Sequence, residues 1–488
     1  MTNTKRVYID DDLVKAKTGP KKNVILAFGD PIEVLKRDGS KMEILVHDRG
    51  PKAFKATISK KVKTRKDPIL HFSMIDVQQG DGMIIETPKR RKLFIDGGDN
   101  KLFARYCAAR YRRTTAEDPL EVDALVITHG DADHYAGLRK MMDSEKETGK
   151  RKRKRIFLYP MRVFHNGLVK GPSKKNKKNV PDEKMFGPTK KIGNKRYATG
   201  LVHDVRRVST SRLNIPFKGW VKALKHWGQH GPIHIRRLAF GDDDAFDFLA
   251  DENIKVEVHG PITQRKKVGS KFKDVLELLK KPEKTVEMHL EQDAAVTGSI
   301  SASHTINGHS IVLRLIYGNV RFYLTGDLNQ QAMDALQKAI EKKPGYGLQS
   351  EIIKAPHHGS ADFDFEALKA MEPVVSLISS GDESSRKEHI HPRATLVSAL
   401  GKVSRGDTGI ILCTELAAFF EMRGPSRTLD GKKTFFGFER KTFGLIQVRT
   451  DGERVLVFTH SAKENMKEAY RFRVDKQHRV TFEDIVKR

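Results

Sequence analysis

The residues best able to do chemistry stand in one hexapeptide, His129-Gly130-Asp131-Ala132-Asp133-His134. Two imidazoles and two carboxylates at this spacing suit two adjacent divalent ions better than one. They follow directly on VDALVIT, which reads as a buried strand, so they lie on the loop leaving it, where side chains can fold back and converge. The plainer alternative is a surface turn in which Asp133 caps the helix YAGLRKMMD. Further ligand types end other apolar runs. Asp327 follows FYLTG and precedes a helical stretch, where capping is its competing role; His357 and His358 end EIIKAPHH; His391 precedes Pro392, with His389 as its competitor. Taken together, residues of these types at the ends of sheet runs point to a metal centre.

The elements that must position them form two units. VILAFGD, PIEVL, MEILV and KATIS are short β-prone runs separated by turn-rich segments, and about five strands at this spacing predict a small barrel over residues 1–66. From Ile69 the pattern changes. ILHFSMIDV, GMIIET and KLFIDGG read as strands, YCAARYRRTT as a helix, and VDALVIT as the buried strand before the hexapeptide. Residues from about 148 to 250 are basic and lack a clear period, which predicts an irregular insertion. Strand signals resume at IKVEVHG, SIVLRLIYG, VRFYLTG, EIIKAPHH, VVSLISS and GIILC, with QQAMDALQKAIEKK as a helix. Hairpins follow from about residue 425. Sheet-rich runs with interspersed helices predict a layered α/β domain over 67–488.

The chain has 488 residues, with 91 Lys and Arg against 62 Asp and Glu, a net charge of +29. Apolar residues make up 38%, enough for a sizeable core beside a large solvated remainder. Two cysteines, Cys107 and Cys413, exclude a disulfide scaffold and a cysteine-built zinc site. MTNTKRVYID has no leader character, and no stretch approaches the ~18 apolar residues of a membrane span. The expectation is a cytoplasmic protein that does not engage the membrane.

The charge is concentrated. Residues 151–155 (Arg151, Lys152, Arg153, Lys154, Arg155) are all basic; residues 170–196 hold ten basic residues against two acids, among them Lys174, Lys175, Lys177 and Lys178; Lys52–Lys66 holds seven and no acid. One such run is commonly a solvated face, but three with a net surplus favour a polyanionic partner, nucleic acid first, because neutralising phosphates releases counterions.

The ordered set of motifs resembles the metallo-β-lactamase superfamily, specifically the hydrolase domain of the DNA-uptake channel protein ComEC and its free-standing relatives. The residues that carry the resemblance are IDVQQGD at Ile75–Asp81, LFIDGGD at Leu93–Asp99, THGDADHYAG at Thr128–Gly137, HSIVLRL near Ser310, LTGDL at Leu324–Leu328, KAPHHGS at Lys354–Ser360 and HP at His391. They run in order from about residue 69 to 400. Two departures stand out: Gln78 where the family prefers Gly, and Asn307-Gly308-His309 where it prefers paired Asn, which predicts altered loop packing with the metal retained. The first 65 residues more weakly resemble an SH3-like domain.

The resemblance implies a four-layer αββα fold with a dimetal site on the sheet edge, preceded by the small SH3-like β-barrel. One ion would take His129, Asp131 and one of His357 or His358, with His357 favoured; the other would take Asp133, His134 and His391, with Asp327 bridging. Asp96 would orient the metal loop without ligating, with Asp76 and Lys354 as further supports. Asp131 stands where the commoner motif has His, and this added oxygen ligand makes manganese plausible beside zinc. The expected activity is phosphodiester hydrolysis, most simply a nuclease acting on DNA through a dimetal-bound hydroxide, with Asp133, His134 and His358 in catalytic roles. The competing readings are a phosphodiesterase for a small nucleotide or phosphocholine-type ester, and a non-catalytic nucleic-acid-binding module. The N-terminal unit could instead recruit a protein partner.

Overall fold

The computed structural model describes residues 6–20, 22–47, 53–281, 298–381, 391–406, 408–418, 420–427, 434–440, 444–461 and 468–488. At the N-terminus the alternating apolar pattern yields seven antiparallel strands in one sheet. Their order is Lys22–Ala27, Leu13–Gly19, Phe54–Ser59, Lys41–Val46, Pro31–Asp38, Arg6–Ile9, Thr64–Arg65. Its core (Ile9, Val14, Leu26, Ile32, Met42, Ile44, Val46 and Ile58 among others) comes almost wholly from this sheet, so the sheet curls over its own apolar face. Five strands were expected. The four runs singled out correspond to Lys22–Ala27, Pro31–Asp38, Lys41–Val46 and Phe54–Ser59; Arg6–Ile9, Leu13–Gly19 and Thr64–Arg65, short or interrupted by lysines, complete the sheet.

The larger unit is built on two sheets. One has ten strands, in the order His234–Arg237, Arg162–His165, Ala124–Ile127, Lys92–Ile95, Met83–Glu86, Leu70–Ile75, Gly444–Thr450, Arg454–Ser461, Ala469–Val474, Val480–Glu483. The other has six: Ile254–Gly260, Val312–Tyr317, Val320–Leu324, Ile352–Lys354, Val375–Ile378, Ile410–Cys413. Their inner faces share one core, in which Phe72 and Phe322 meet with ring centroids 5.7 Å apart. Helices Leu102–Arg110, Ala132–Ser144 and Ile215–Trp227 cover the outer face of the first sheet, and Gln330–Glu341, Phe365–Met371 and Ala394–Val403 that of the second. The layers therefore run helix, sheet, sheet, helix, as an α/β fold of this pattern requires.

Much of the expected insertion is structural. Arg162–His165 and His234–Arg237 extend the ten-stranded sheet in parallel register, and Ile215–Trp227 buries Phe217, Trp220, Val221, Leu224 and Trp227 against it. Those apolar positions follow helical spacing, but the surrounding lysines mask the period. What protrudes is a hairpin at Lys174–Asn179 and a four-stranded sheet of Thr189–Ile192, Lys195–Ala198, Lys271–Glu277 and Gln264–Val268. The C-terminal strands pair with Leu70–Ile75 in the middle of the large sheet. Their far end clasps the N-terminal unit, as Lys15 N donates to Arg488 O at 2.8 Å. Arg449 reaches Asp30 at 2.7 Å and Arg471 reaches Asp12 at 2.9 Å across the same junction. Among the described residues no helix is long and apolar enough to cross a membrane.

Candidate metal centre

The site gathers loops that leave neighbouring strands at one end of both sheets. Ala124–Ile127 runs into Thr128 and the hexapeptide, and the helix Ala132–Ser144 begins inside it. Asp133 thus sits in the first helical turn and Asp131 at the N-cap without a capping side-chain bond, which removes the turn-capping alternative. Nor is Asp327 a cap, for Asn329 accepts from Ala332 N to start the next helix. Four non-glycine residues around these loops have left-handed backbones: Gln78 (φ 66°), Asp96 (58°), His357 (45°) and His358 (53°). Each costs about 1 kcal/mol or more and persists because the surroundings hold it, as is common at functional sites. Gly80 (φ +105°) lets the Ile75–Asp81 loop reach the hexapeptide, since a Cβ there would fall 1.8 Å from Asp133 O.

Three imidazoles are held by Nδ1 and turn Nε2 inward. His134 Nδ1 donates to Asp96 Oδ2 at 2.8 Å, and His358 Nδ1 to Ser379 O at 3.0 Å. His129 Nδ1 lies 3.1 Å from Thr128 Oγ1 and 3.3 Å from Ser310 Oγ. Those hydroxyls already donate, to Asp96 at 2.6 Å and to Asn307 O at 2.8 Å, so His129 Nδ1 carries the proton. The three Nε2 atoms converge on Asp327 Oδ2, at 3.9 Å from His129, 3.2 Å from His134 and 3.1 Å from His358. Asp133 Oδ2 stands 3.6 Å from His358 Nε2 and accepts from Gln79 Nε2 at 3.1 Å.

Charge completes the fit. The Lys354 ammonium sits 2.7 Å from Asp81, 3.3 Å from Asp327 and 2.7 Å from Gly326 O, while Asp96 and Asp133 face His134 and His358. Burial alone would lower His134 and His358, yet Asp327 with Asp96 raises the first and Asp327 with Asp81 the second, both well above the usual imidazole range. His129, dominated by burial, is held well below it and stays neutral. A field that draws protons onto two ring nitrogens holds a divalent cation by the same means. Buried Nε2 of His134 and of His358 has no hydrogen-bond partner of good geometry beside these carboxylates, as expected of an atom turned to an ion. Potential ligand atoms within 4.8 Å of one another group as His129, His134 and Asp327; Asp133, His134 and His358; Asp81, Asp327 and His358; and Asp81, Asp96 and His134.

The structure thus brings together His129, Asp133, His134, Asp327 and His358, with Asp96 and Lys354 behind them. Two successive left-handed residues turn the second ring inward, so that His358 Nε2 lies 3.1 Å from Asp327 Oδ2 against 3.9 Å for the favoured His357. His357 Nε2 lies 3.9 Å from Asp327 Oδ2 and 3.2 Å from the Asn307 amide. His391 packs beside it, ring centroids 5.8 Å apart. Asp131 turns to Lys170 at 2.7 Å and to the Asn307 amide nitrogen at 3.0 Å. Asp76 accepts from Gln78 N at 3.0 Å and Gly444 N at 3.3 Å, stapling its loop to the C-terminal strands. His389 lies outside the described residues. Asp81 was given no role in the sequence reading, although its place at the end of IDVQQGD was a signal.

Of the basic candidates, Lys174, Lys175, Lys177 and Lys178 form an exposed hairpin four residues beyond Lys170. Arg151–Arg155 lie past the far end of the 13-residue helix that starts in the hexapeptide, about 20 Å away at 1.5 Å per residue.

A helix–sheet–sheet–helix domain with imidazoles and carboxylates converging at its strand ends defines a metal-binding hydrolase scaffold. Residues 94–246 match the family model of the metallo-beta-lactamase superfamily, whose members are mostly metal-dependent hydrolases. The matched span holds His129 to His134, whereas Asp81, Asp327 and His358 come to the site from outside it. No curated protein matches the sequence.

Proposed function

We propose that this chain is a metal-dependent phosphodiesterase whose natural substrate is a polynucleotide, DNA in the first instance. The observation that carries the reading is the meeting of two features at one sheet edge. Three Nε2 atoms converge on Asp327, and a lysine hairpin rises four residues from Lys170, which itself holds Asp131. A +29 chain with lysines at the rim of such a site favours a polyanion over a lactam or thioester.

Asp133, His134, His358 and Asp327 would hold one divalent ion; His129 and Asp327, with Asp131 freed from Lys170, would hold a second. Carboxylates as numerous as imidazoles suit manganese as well as zinc. Such ions, when bound, supply an activated water at neutral pH and charge stabilisation on the phosphoryl oxygens. The rest is the work of the chain. Asp96, Ser379 O and the Thr128–Ser310 pair hold a proton on each Nδ1 and so aim the three Nε2 atoms at the centre, and the further protons that the carboxylates draw onto His134 and His358 are given up when a metal binds. Lys354 occupies Asp327 Oδ1 and leaves Oδ2 for the centre. With three acceptors around its ammonium, it orients the carboxylates and does not reach a substrate. Outside the ligand set, Lys170 can pass from Asp131 to an arriving phosphate.

The test is cleavage of plasmid and linear DNA by purified protein with manganese, beside Asp327→Asn and His134→Ala variants. Manganese-dependent cutting lost in both supports the nuclease. Two ions bound per chain without cutting moves the substrate to a small phosphoester.

A further inference from the structure

The sheet that protrudes from the insertion ends in a two-stranded ribbon, Gln264–Val268 paired with Lys271–Glu277 through Gly269-Ser270. Gly269 has φ +65°, which a tight two-residue hairpin turn requires. The register sets Lys267 opposite Phe272, Lys266 opposite Lys273 and Val268 opposite Lys271. Directly paired residues share a face and neighbours along a strand alternate. One face therefore carries Lys266, Lys271 and Lys273, continued by Lys195 and Lys190 on the adjoining strands. The other carries Arg265, Lys267 and Phe272.

Two properties separate this ribbon from an ordinary solvated hairpin. Its acids are already taken: Asp274 by Arg237 at 2.8 Å and Glu277 by Lys195 at 2.8 Å. Lys266, Lys267, Lys271 and Lys273 form no ion pair among the described residues, so their charge is available to a ligand. And Phe272 stands 61% exposed beside Lys267, while Val275 and Leu276, three and four residues on, are fully buried and anchor the base. A phenyl ring held out among cations on a rigid ribbon gains nothing for the fold; it suits the π-face of a nucleobase, which only an unpaired strand presents.

The base of the ribbon is tied to the metal centre. His309 Nε2 donates to Glu277 O at 2.7 Å, and Leu279 N to Thr305 Oγ1 at 2.9 Å. The helix Ala302–Gly308 carries Asn307, which contacts both Asp131 and His357, and its first amide, Ala302 N, donates to Asp182 just beyond the Lys174–Asn179 hairpin. Both basic hairpins are thus rooted on the helix that lines the site.

We propose that the ribbon Gln264–Glu277 is an arm that holds single-stranded nucleic acid, Phe272 stacking on a base with Lys267 beside it on the same face, while Lys271 and Lys273 contact phosphates where the strand passes round to the opposite face. This deepens the nuclease reading and rests on it for the substrate class. The test is fluorescence anisotropy on the full chain in EDTA, which stops turnover, with labelled single-stranded DNA, single-stranded RNA and duplex DNA of about twenty nucleotides. Phe272→Ala should weaken single-strand binding about tenfold and leave duplex binding unchanged, and Phe272→Trp should restore it. Lys271→Gln with Lys273→Gln should flatten the slope of log affinity against log salt by roughly 1.4 for single strands. Hydrolysis of bis(p-nitrophenyl) phosphate should be unchanged in all of these variants. The DNA and RNA arms tell which polynucleotide is held. Unchanged single-strand affinity in Phe272→Ala, or an equal loss on duplex, overturns the arm. A wild-type chain that hydrolyses no phosphodiester overturns the nuclease reading instead and leaves the binding result standing.

Discussion

The metal centre and the basic ribbon are joined through one short helix, Ala302–Gly308, and solve opposite problems. At the centre most charges are buried and face one another: Lys354, Asp81, Asp96, His134 and His358 are all essentially without solvent access. On the ribbon the lysines are open to water and Phe272 is exposed. Burial in low dielectric makes the central charges strong, directional and costly to disturb. Exposure makes the peripheral ones weak singly, screened by salt and free to follow a flexible polymer. Selective chemistry and affinity for a long anion are therefore separable, and mutations should divide along the same line.

The sharpest test of that division is Asp327→Ala. It should lower phosphodiester turnover by at least about a thousandfold, since three imidazoles and Lys354 lose their common partner, while single-strand affinity in EDTA stays near wild type. A comparable fall in both would merge the two regions into one. Next in size, Lys354→Met leaves Asp81 buried without its counter-charge and should cost about 3–5 kcal/mol in urea unfolding. A loss under 1 kcal/mol would show that the centre is not electrostatically closed. Stripping metal with EDTA should lower stability by about 3 kcal/mol relative to protein in excess manganese, which a shift in thermal midpoint would reveal.

A smaller effect concerns His165 at the sheet edge beside the insertion. Its Nδ1 accepts from Gly167 N at 3.1 Å and its Nε2 donates to His203 O at 3.0 Å, so a second proton has no acceptor. Burial accordingly lowers its pKa to about 4. The unfolded chain titrates near 6.5 and binds the proton first, so stability is full above about pH 6.5 and declines toward about pH 4. Thermal midpoints across that window should fall less steeply for His165→Asn than for wild type. The smallest expected change is in the ribbon: Lys271→Gln with Lys273→Gln should alter unfolding free energy by less than about 0.5 kcal/mol. A larger loss would mean that the ribbon is part of the fold's frame.

Legibility followed the range of the interactions. The loop His129–His134 was readable because a short apolar strand ends in four ligand types, and Asp327 because a second strand ends likewise. The choice between His357 and His358 was not, for it depends on two left-handed residues whose strain is sustained by contacts from elsewhere, among them Ser379 O. The place of Asp81 at the centre was hidden for a similar reason, since its partners Lys354 and His358 lie far along the chain. Residues 148–250 looked irregular because lysines for the protruding hairpins alternate with apolar residues for the sheet and for Trp220 and Trp227, and no single period survives the mixture.

By itself, then, the amino-acid order determined the layered α/β class, the chemistry of the ligand loops and the surplus of positive charge, all of which reside in local patterning and composition. Only the tertiary structure decided which imidazoles meet Asp327, that Lys354 is enclosed and holds its carboxylates, that the C-terminal strands lie beside Leu70–Ile75, and that the base of the lysine ribbon is tied to the helix that carries Asn307. Those outcomes depend on pairings between residues tens to hundreds of positions apart. Their free energy comes from burial and mutual orientation, which no local stretch of the chain contains.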